Sequence, residues 1–287
     1  MSWQNQQQQL PAPVMKIVLG HELRRLRTVA GLTQEEVATV LHCSQQKVDY
    51  FERGGGVRFV ELKELFETYR VADTDRAYAM ELHAESDRRA KRGGFRSRFR
   101  QHLRLLVDME PTCHRLYSYR GMVVPGLLQT EDYMRTLFRA WRPAPTPDQI
   151  DLDTVARLAR QEVLDDAGRD FWFIVDEAVL RRTAGSCQSM KAQVLRLVEV
   201  IDRPNVELQL VPFSAGYYMG QAHDYTIFGY NVEPHVDIVY RDQHDGGEYV
   251  DDTKRTPKYV TLWEQQKAAA LGPEQTRCVL LELAKSL

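Results

Sequence analysis

Cysteine is scarce in this sequence and is spread thinly along it. The four cysteines among its 287 residues, Cys43, Cys113, Cys187 and Cys278, lie far apart and form no CxxC pair. Zinc-binding domains and small disulfide frameworks need clustered cysteines, so this spacing argues against both. The cysteine usage instead indicates a reducing compartment.

Long hydrophobic runs are missing as well. No stretch of the chain reaches the roughly 18 apolar residues that a membrane span needs. The N-terminus, MSWQNQQQQLPAP, has no basic region followed by an apolar stretch and therefore does not resemble a signal peptide. Its glutamine-rich, proline-bounded composition predicts a disordered arm over residues 1–13. We expect a cytoplasmic protein without a membrane segment.

Charge is nearly balanced overall but unevenly distributed. The net charge is −2, yet residues 76–120 carry a net charge of +6 and residues 121–287 a net charge of −7. Within residues 88–104 there are eight Lys or Arg and no Asp or Glu. One interpretation is a solvated linker, and the other is a surface that contacts the phosphates of nucleic acid.

The chain length predicts two domains, and the first is patterned as short helices. A first helix is predicted over residues 14–29. Thr33, with Glu36 three residues later, forms a capping-box pattern at the start of a second helix. Ser44 offers the N-cap of a third helix, which Gly54 ends. A fourth helix is predicted over residues 58–70 and a long, increasingly basic fifth over residues 74–92.

The second and third helices are too short to be stable alone and are joined by a tight turn. Apolar side chains fill their predicted crossing, which leaves the outer face of the third helix free. A helix presented in this way fits the major groove of DNA, with its N-terminal residues at the base edges. Gln45 and Gln46 stand there, and a glutamine amide can pair with adenine through two hydrogen bonds. A plain helical-bundle corner without DNA is the alternative interpretation.

Residues 23–54, LRRLRTVAGLTQEEVATVLHCSQQKVDYFERG, resemble the repressor-type helix-turn-helix of the xenobiotic-response-element or Cro type. The resemblance implies that Gln34 bonds phosphate and that Arg27 and Glu52 form an ion pair between the first and third helices. His42 stands where the usual turn glycine would be. The predicted DNA-binding residues are Gln34, Ser44, Gln45, Gln46, Lys47, Tyr50 and Arg53. Further phosphate contacts are predicted for Arg88, Arg89, Lys91, Arg92, Arg96 and Arg98.

The remainder of the chain mixes helical and strand patterns. Strands are predicted in DFWFIVDEAVL, VELQLVPF, YTIFGY and VDIVYRD, with helices before, between and after them. The predicted fold class is therefore an all-α helix-turn-helix domain over residues 14–75 and an α+β domain over residues 105–287. A long basic helix and linker over residues 76–104 would join them.

The second domain resembles the C-terminal region of WhiJ-type actinobacterial regulators. The segments that carry this resemblance are VVPGLLQTEDYMRTLF, ARLARQEVL, FIVDEAVLRR, PNVELQLVPFSAG and EYVDD. Some of those regulators are described as antitoxin-like and pair with a small neighbouring protein. The resemblance implies a transcriptional regulator and a small companion protein as a possible partner.

Patterns that would suggest a metal site or an enzyme are weak. His223, His235 and His244 lie among acidic residues but fit no metal-binding spacing. RGGGVR, residues 53–58, follows a helix rather than a strand and lacks the ending of a phosphate-binding loop. We therefore expect no catalytic residue, metal or cofactor, and no enzymatic activity.

An aromatic stretch between Phe213 and Tyr230 admits two interpretations. It is either a core hairpin or a partner-binding surface, since Tyr and Met are enriched at interfaces. Tyr217, Tyr218 and Met219 lie between Gly216 and Gly220, which predicts an exposed loop tip that binds a partner.

We expect a DNA-binding transcriptional regulator that acts as a homodimer on a palindromic operator at the nucleoid. Its second domain would receive a signal or a partner. One alternative is an antitoxin-like protein that sequesters a companion and uses DNA binding for autoregulation. Another is a repressor gated by a small molecule.

Overall fold

The computed structural model describes residues 11–87, 106–107, 109–140, 143, 145–232, 235–243, 246–252 and 254–287. The chain divides into two compact units. The first takes in Met1–Arg92, Gly229–Ile238 and Val250–Thr256, and the second takes in Gly93–Phe228, Val239–Tyr249 and Pro257–Leu287. The N-terminal region is helical and the C-terminal region combines helices with a six-stranded sheet. The predicted class, all-α followed by α+β, is confirmed.

The described N-terminal residues form five helices around one apolar core. They are α1 (Ala12–Val29), α2 (Gln34–Val40), α3 (Gln45–Glu52), α4 (Phe59–Tyr69) and α5 (Asp73–Asp87). Helix α5 packs along α1, so the compact unit continues past residue 75, where the sequence suggested a boundary. The fully buried members of the core include Val14, Ile17, Leu23, Val37, Val48, Leu62, Leu65 and Leu82.

The start of α1 corrects the predicted extent of the disordered arm. Residues 12 and 13 form the first turn of α1, after Pro11 at the N-cap. Pro13 suits the first turn, because the N–H groups there have no intrahelical acceptor and its missing N–H costs no hydrogen bond. The rest of the predicted arm, residues 1–10, lies outside the described residues.

The predicted caps of the two short helices are present. The Thr33 hydroxyl accepts from the Glu36 backbone N–H at 3.2 Å, and the Glu36 carboxylate accepts from the Thr33 N–H at 2.7 Å. At the start of α3 the Ser44 hydroxyl accepts from the Lys47 N–H at 3.3 Å. In the turn between the helices, His42 adopts a left-handed backbone conformation with φ of 49°. A non-glycine residue is strained in this conformation.

The sheet has the order β3-β2-β1-β4-β5-β6. Its strands are β1 (Arg115–Arg120), β2 (Asp170–Asp176), β3 (Val206–Val211), β4 (Tyr225–Tyr230), β5 (Val236–Gln243) and β6 (Gly246–Val250). Strand β2 pairs in parallel with β1 and with β3. Tyr117 and Trp172 are neighbours in the β1–β2 register, and their rings stack with centroids 4.8 Å apart.

Helices in the described C-terminal part connect and cover these strands. They are α6 (Glu131–Arg139), α7 (Pro147–Gln161), α8 (Glu177–Arg181), α9 (Cys187–Ile201), α10 (Thr256–Ala269) and α11 (Pro273–Ser286). Helix α9 packs on β3 and on α11. The end of the β3 edge is bonded at Leu210, because the Leu271 N–H donates to the Leu210 carbonyl and the Thr276 hydroxyl of α11 accepts from the Leu210 N–H.

Candidate nucleic-acid interface

Helices α2 and α3 form a tight pair within the first unit. Val37 and Ala38 of α2 pack with Val48 and Phe51 of α3, and all four side chains are buried. Burial of these apolar groups provides the stability that helices of seven and eight residues lack on their own. The opposite face of α3 is thereby held outward.

Two glycines bring the backbone of α1 directly against the end of α3. A Cβ added at Gly20 would lie 2.6 Å from the Gly54 nitrogen and 2.7 Å from the Phe51 carbonyl oxygen. A Cβ added at Gly54 would lie 2.7 Å from the Ile17 Cα, and Gly54 also has a φ of 83°. Only glycine permits both this approach and this backbone conformation. The position of α3 against α1 is therefore set by main-chain contact.

Arg27 and Glu52, the pair implied by the resemblance, form an ion pair between α1 and α3. Arg27 Nε donates to Glu52 Oε1 at 2.5 Å, and Arg27 Nη2 donates to Glu52 Oε2 at 3.1 Å. The side chain of Glu52 is only 4% exposed. The neighbouring Glu52 carboxylate raises the pKa of the Arg27 guanidinium above its usual range. Two parallel hydrogen bonds fix the relative orientation of the two helices.

Gln34 joins this ion pair through its side-chain amide. Its Nε2 donates to Glu52 Oε2 at 2.9 Å, while Arg27 Nη1 donates to the Leu32 carbonyl at 2.6 Å. The network therefore ties the start of α2 to both α1 and α3. The sequence suggested only a phosphate contact for Gln34. Its position at the first turn of α2 gave no signal for this internal bond.

The outward face of α3 exposes most of the predicted reading residues. Ser44, Gln45, Gln46 and Tyr50 are exposed, and Tyr50 reaches 56%. The Tyr50 ring lies over Gly55, where an added Cβ would be 2.3 Å from a ring carbon. The two glutamine amides thus stand at the first turn of α3, and the tyrosine one turn further along.

Two predicted cations of α3 already have carboxylate partners. Lys47 Nζ lies 2.6 Å from Glu61 Oε1, which Arg58 Nη2 also approaches to 2.7 Å. The Arg58 guanidinium, followed by Lys47, lowers the pKa of Glu61 to about 2. Arg53 pairs with Asp49, one turn earlier on α3, and lies 3.6 Å from Asp252.

A groove of about 740 Å³ lies beside these residues within the first unit. Burial, and then the charge of Arg24, lower the pKa of His21 on its wall, which favours the neutral imidazole there. Its lining carries four Arg and Lys side chains against three Asp and Glu, which is a small excess of positive charge. Its lining comprises His21, Arg24, Arg27, Thr28, Gly31, Leu32, Thr33, Gln34, Glu35, Gln45, Asp49, Glu52, Arg53 and Lys254.

The additional phosphate contacts predicted in the basic tract fall outside the described residues. This applies to Arg88, Arg89, Lys91, Arg92, Arg96 and Arg98. They remain predictions from the sequence.

The sequence predicted that Tyr217, Tyr218 and Met219 are exposed at a loop tip, and this prediction is wrong for Tyr218. Tyr217 and Met219 are 84% and 58% exposed, but Tyr218 is only 7% exposed. The Tyr218 hydroxyl donates to Asp176 Oδ2 at 2.5 Å and lies 2.6 Å from the Tyr119 hydroxyl. Tyr218 therefore points into the second unit, because its hydroxyl satisfies a buried carboxylate at the end of β2.

The described residues form neither a metal-binding cluster nor a helix that could cross a membrane. His235 contacts Asp237 at 3.0 Å, but no group of three or more His, Cys, Asp and Glu side chains in the described part of the chain has the geometry to hold a metal ion. His244 lies outside the described residues. None of the described helices is both long enough and apolar enough to cross a membrane.

Comparison with known proteins agrees with both halves of this architecture. Residues 18–79 match a family model described as a helix-turn-helix domain, which covers α2, α3 and their supporting helices. No curated protein and no solved structure matches the chain significantly. Residues 103–282 match the model of a family described as Domain of unknown function (DUF5753). The helix-turn-helix match indicates DNA binding. Because the DUF5753 match covers more than half of the chain, the chain belongs to that family.

Proposed function

We propose that this protein is a sequence-specific transcriptional regulator of the repressor type that reads DNA with α3. The supporting observation is the exposure of Gln45 and Gln46 at the first turn of a helix whose other side is fixed by buried contacts. A rigid helix with free amides at its N-terminal turn is the arrangement that major-groove readers use. The resemblance to XRE-type repressors and WhiJ-type actinobacterial regulators supports the same proposal.

Each exposed side chain of α3 has a distinct role in this proposal. Gln45 and Gln46 read base edges, where each amide can donate to and accept from an adenine. Tyr50 adds an apolar contact one turn further along the groove. Lys47 and Arg53 contact phosphates. To do so, Lys47 leaves or keeps only part of its contact with Glu61, and Arg53 does the same with Asp49. Phosphate contacts supply affinity, whereas base contacts supply specificity.

The proposal is tested with Gln46→Ala and Gln45→Ala after selection of a preferred duplex from a random pool. Each lost two-bond contact costs about 1–3 kcal/mol on the selected duplex and little on a scrambled one. Fluorescence anisotropy titrations measure both affinities. Gln265→Ala, an exposed glutamine of α10, is the matched control and changes neither. Equal losses on the two duplexes would refute base readout by these residues.

Homodimerisation on a palindrome is part of the same proposal. Two reading helices bind successive major grooves when half-sites lie one helical turn apart, about 34 Å. A selected site with two inverted half-sites, together with two protomers per duplex in sedimentation, supports this assembly. A selected single half-site with one protomer contradicts it.

A second candidate function has its own observation. Phe213, Tyr217 and Met219 are 58%, 84% and 58% exposed. Three large apolar side chains in one short stretch favour a contact with another protein. The antitoxin-like function, in which the second unit sequesters a small companion protein, uses this surface. DNA binding would then serve autoregulation.

Crosslinked co-purification from the native host distinguishes this second function. Tyr217→Ser combined with Met219→Ser removes the exposed apolar groups and leaves the buried Tyr218 in place. Loss of a small co-purifying protein, with the circular dichroism spectrum unchanged, supports sequestration. Retention of the same protein by the double variant shows that the surface is not its binding site.

Neither function includes catalysis. We infer that the buried polar groups of the second unit are structural. The Gln193 amide, for example, donates to the Leu128 carbonyl and accepts from the Thr130 N–H. Such a regulator would act in the cytoplasm, at the nucleoid.

A further inference from the structure

A segment distant in sequence belongs to the same compact unit as the helix-turn-helix. Residues Val250–Thr256 run from the last residue of β6 to the first residue of α10, yet they group with α1 to α5. Within this segment Asp252 Oδ2 lies 3.6 Å from Arg53 Nη1, and both side chains are 32% exposed. Lys254 of the same segment lines the groove beside α3. The segment thus reaches the helix to which base reading is assigned.

The Asp252 carboxylate is held in place by the turn in which it lies. Its Oδ1 accepts from the Lys254 N–H at 2.7 Å and from the Arg255 N–H at 3.2 Å. Its backbone carbonyl accepts from the Thr256 N–H at 3.0 Å. One carboxylate oxygen therefore organises the turn that precedes α10, while the other faces Arg53. A carboxylate fixed in this way loses less conformational freedom on pairing than a mobile surface side chain does.

Arg53 consequently lies between two carboxylates in the free protein. Asp49 contacts it from the same helix, and Asp252 contacts it from the distant segment. The groove around them also carries Arg24, Lys254 and Arg27, the last of which is paired with Glu52. A carboxylate oxygen near Arg53 presents the same charge and the same hydrogen-bond acceptor as a phosphate oxygen of DNA.

We propose that the Val250–Thr256 segment is an autoinhibitory latch, in which Asp252 stands in for a DNA phosphate at Arg53. The latch rests on the proposed DNA-binding function, because it requires Arg53 to contact phosphate. When Arg53 binds a DNA phosphate, Asp252 has to leave the guanidinium. The free energy of the Arg53–Asp252 contact is then lost, and DNA binding is weaker by that amount. The segment thereby sets the binding strength without touching a base.

One substitution at Asp252 can remove its charge while keeping the turn. Asp252→Asn keeps an oxygen that accepts from the Lys254 N–H but removes the negative charge that faces Arg53. Asp252→Ser also favours this kind of turn and guards against an effect peculiar to asparagine. Glu274→Gln is the charge-matched control, because it removes one exposed carboxylate from α11.

Binding is measured by anisotropy on a short duplex of mixed sequence at about 50 mM salt, since phosphate contacts do not depend on sequence. We expect Asp252→Asn and Asp252→Ser to bind about two- to five-fold more tightly than the native chain, the range of an exposed ion pair. Glu274→Gln should bind like the native chain. Thermal melting followed by circular dichroism confirms that each variant is folded.

The decisive measurement repeats Asp252→Asn in an Arg53→Gln background. If Asp252 acts through Arg53, the substitution has no effect once the guanidinium is gone. The latch would be overturned if Asp252→Asn raised the affinity equally in both backgrounds, or if Glu274→Gln raised it as much. Either result would show that only the overall charge of the protein matters. An unchanged affinity for both Asp252 variants would also overturn it. If the native chain itself binds no duplex, the DNA-binding function fails, and this outcome is separate from the others.

Discussion

At the scale of single residues, the first unit depends on one buried carboxylate. Glu52 accepts from Arg27 and from Gln34, which reach it from two other helices, and its side chain is 4% exposed. Each lost contact would leave a polar group away from water without its partner. Such groups cost more when left unpaired than they contribute when paired. The helix-turn-helix should therefore be sensitive to substitution at this position.

Glu52→Gln should lower the stability of the first unit by about 3–5 kcal/mol, because Arg27 keeps its charge and loses its ionised partner. Amide hydrogen exchange over α1 and α3 in the full chain measures this change. Glu67→Gln is the control, since Glu67 also pairs with an arginine, Arg76 at 2.8 Å, but is 74% exposed. We expect less than about 1 kcal/mol for the control. Similar losses in both variants would show that burial of the pair does not matter.

At the scale of elements, one carboxylate connects α4 to α3. Glu61 accepts from the Arg58 N–H at 3.0 Å and so caps the start of α4, while its other contacts reach the Arg58 and Lys47 side chains. Its pKa is lowered to about 2, first by Arg58. A carboxyl group with a lowered pKa stabilises the fold above its unfolded pKa, near 4.3, and this contribution is lost as the pH falls toward the folded value.

Glu61→Gln should therefore reduce the stability of α4 at pH 5, and its difference from the native chain should narrow between pH 5 and pH 3. The narrowing follows because the Glu61 carboxyl takes up a proton in the unfolded native-sequence chain in this range while it stays ionised in the folded state, whereas a glutamine titrates in neither state. Amide exchange of α4, corrected for the intrinsic rate at each pH, gives the two profiles. Parallel profiles over this range would contradict the low pKa.

Local signals explain which elements could be predicted. The capping residues Thr33 and Ser44 identify α2 and α3, because side-chain caps depend on neighbours within one turn. Strands β2 to β5 show apolar or aromatic runs and were predicted, although the predicted β2 continued through Leu180, where the structure has α8. Strand β1, RLYSYR, was not predicted, since it carries two arginines, of which Arg120 finds its partner Asp242 on β5. Strand β6, GGEYV, begins with two glycines, which disfavour strands.

The site residues show the same division between local and distant causes. The exposure of Gln46 followed from helical periodicity about the inward-facing Val48, and that of Gln45 from its place in the first turn of the helix. The burial of Tyr218 did not, because it depends on Asp176, which is forty-two positions away in the sequence. The contact of Asp252 with Arg53 is also long-range and had no sequence signal. Pairings of this kind are set by the fold and not by the adjacent residues.

At the scale of the whole molecule, charge is arranged by region. The helical N-terminal residues 1–75 are nearly neutral, and the basic excess lies in residues 88–104. A DNA-binding chain needs cations to displace the ions condensed on the duplex. The exposed glutamines of α3 supply no charge, so in the proposed complex a substantial part of the phosphate contacts would have to come from other residues. The basic tract is the densest source of them in the sequence.

Arg96→Gln combined with Arg98→Gln should make the salt dependence of DNA binding shallower by about two units in a plot of log affinity against log salt concentration. Each lost phosphate contact removes about one released counterion. Titrations between about 50 and 200 mM salt measure the slope. Lys191→Gln combined with Lys285→Gln removes the same charge from α9 and α11 and should leave the slope unchanged. Equal slopes for the native chain and the Arg96→Gln, Arg98→Gln variant would show that these residues do not contact phosphate and would favour the linker interpretation.

The close approach of Gly20 and Gly54 has a consequence for how this protein can diverge. Because main-chain atoms of α1 and the end of α3 meet there, the angle of the reading helix does not depend on the side chains it shows to solvent. Gln45, Gln46 and Tyr50 can therefore be exchanged for other residues while the frame beneath them stays the same. If α3 reads DNA as proposed, paralogues that keep the two glycines are free to acquire new operators, whereas a methyl group at either position would displace α3 and with it every base contact at once.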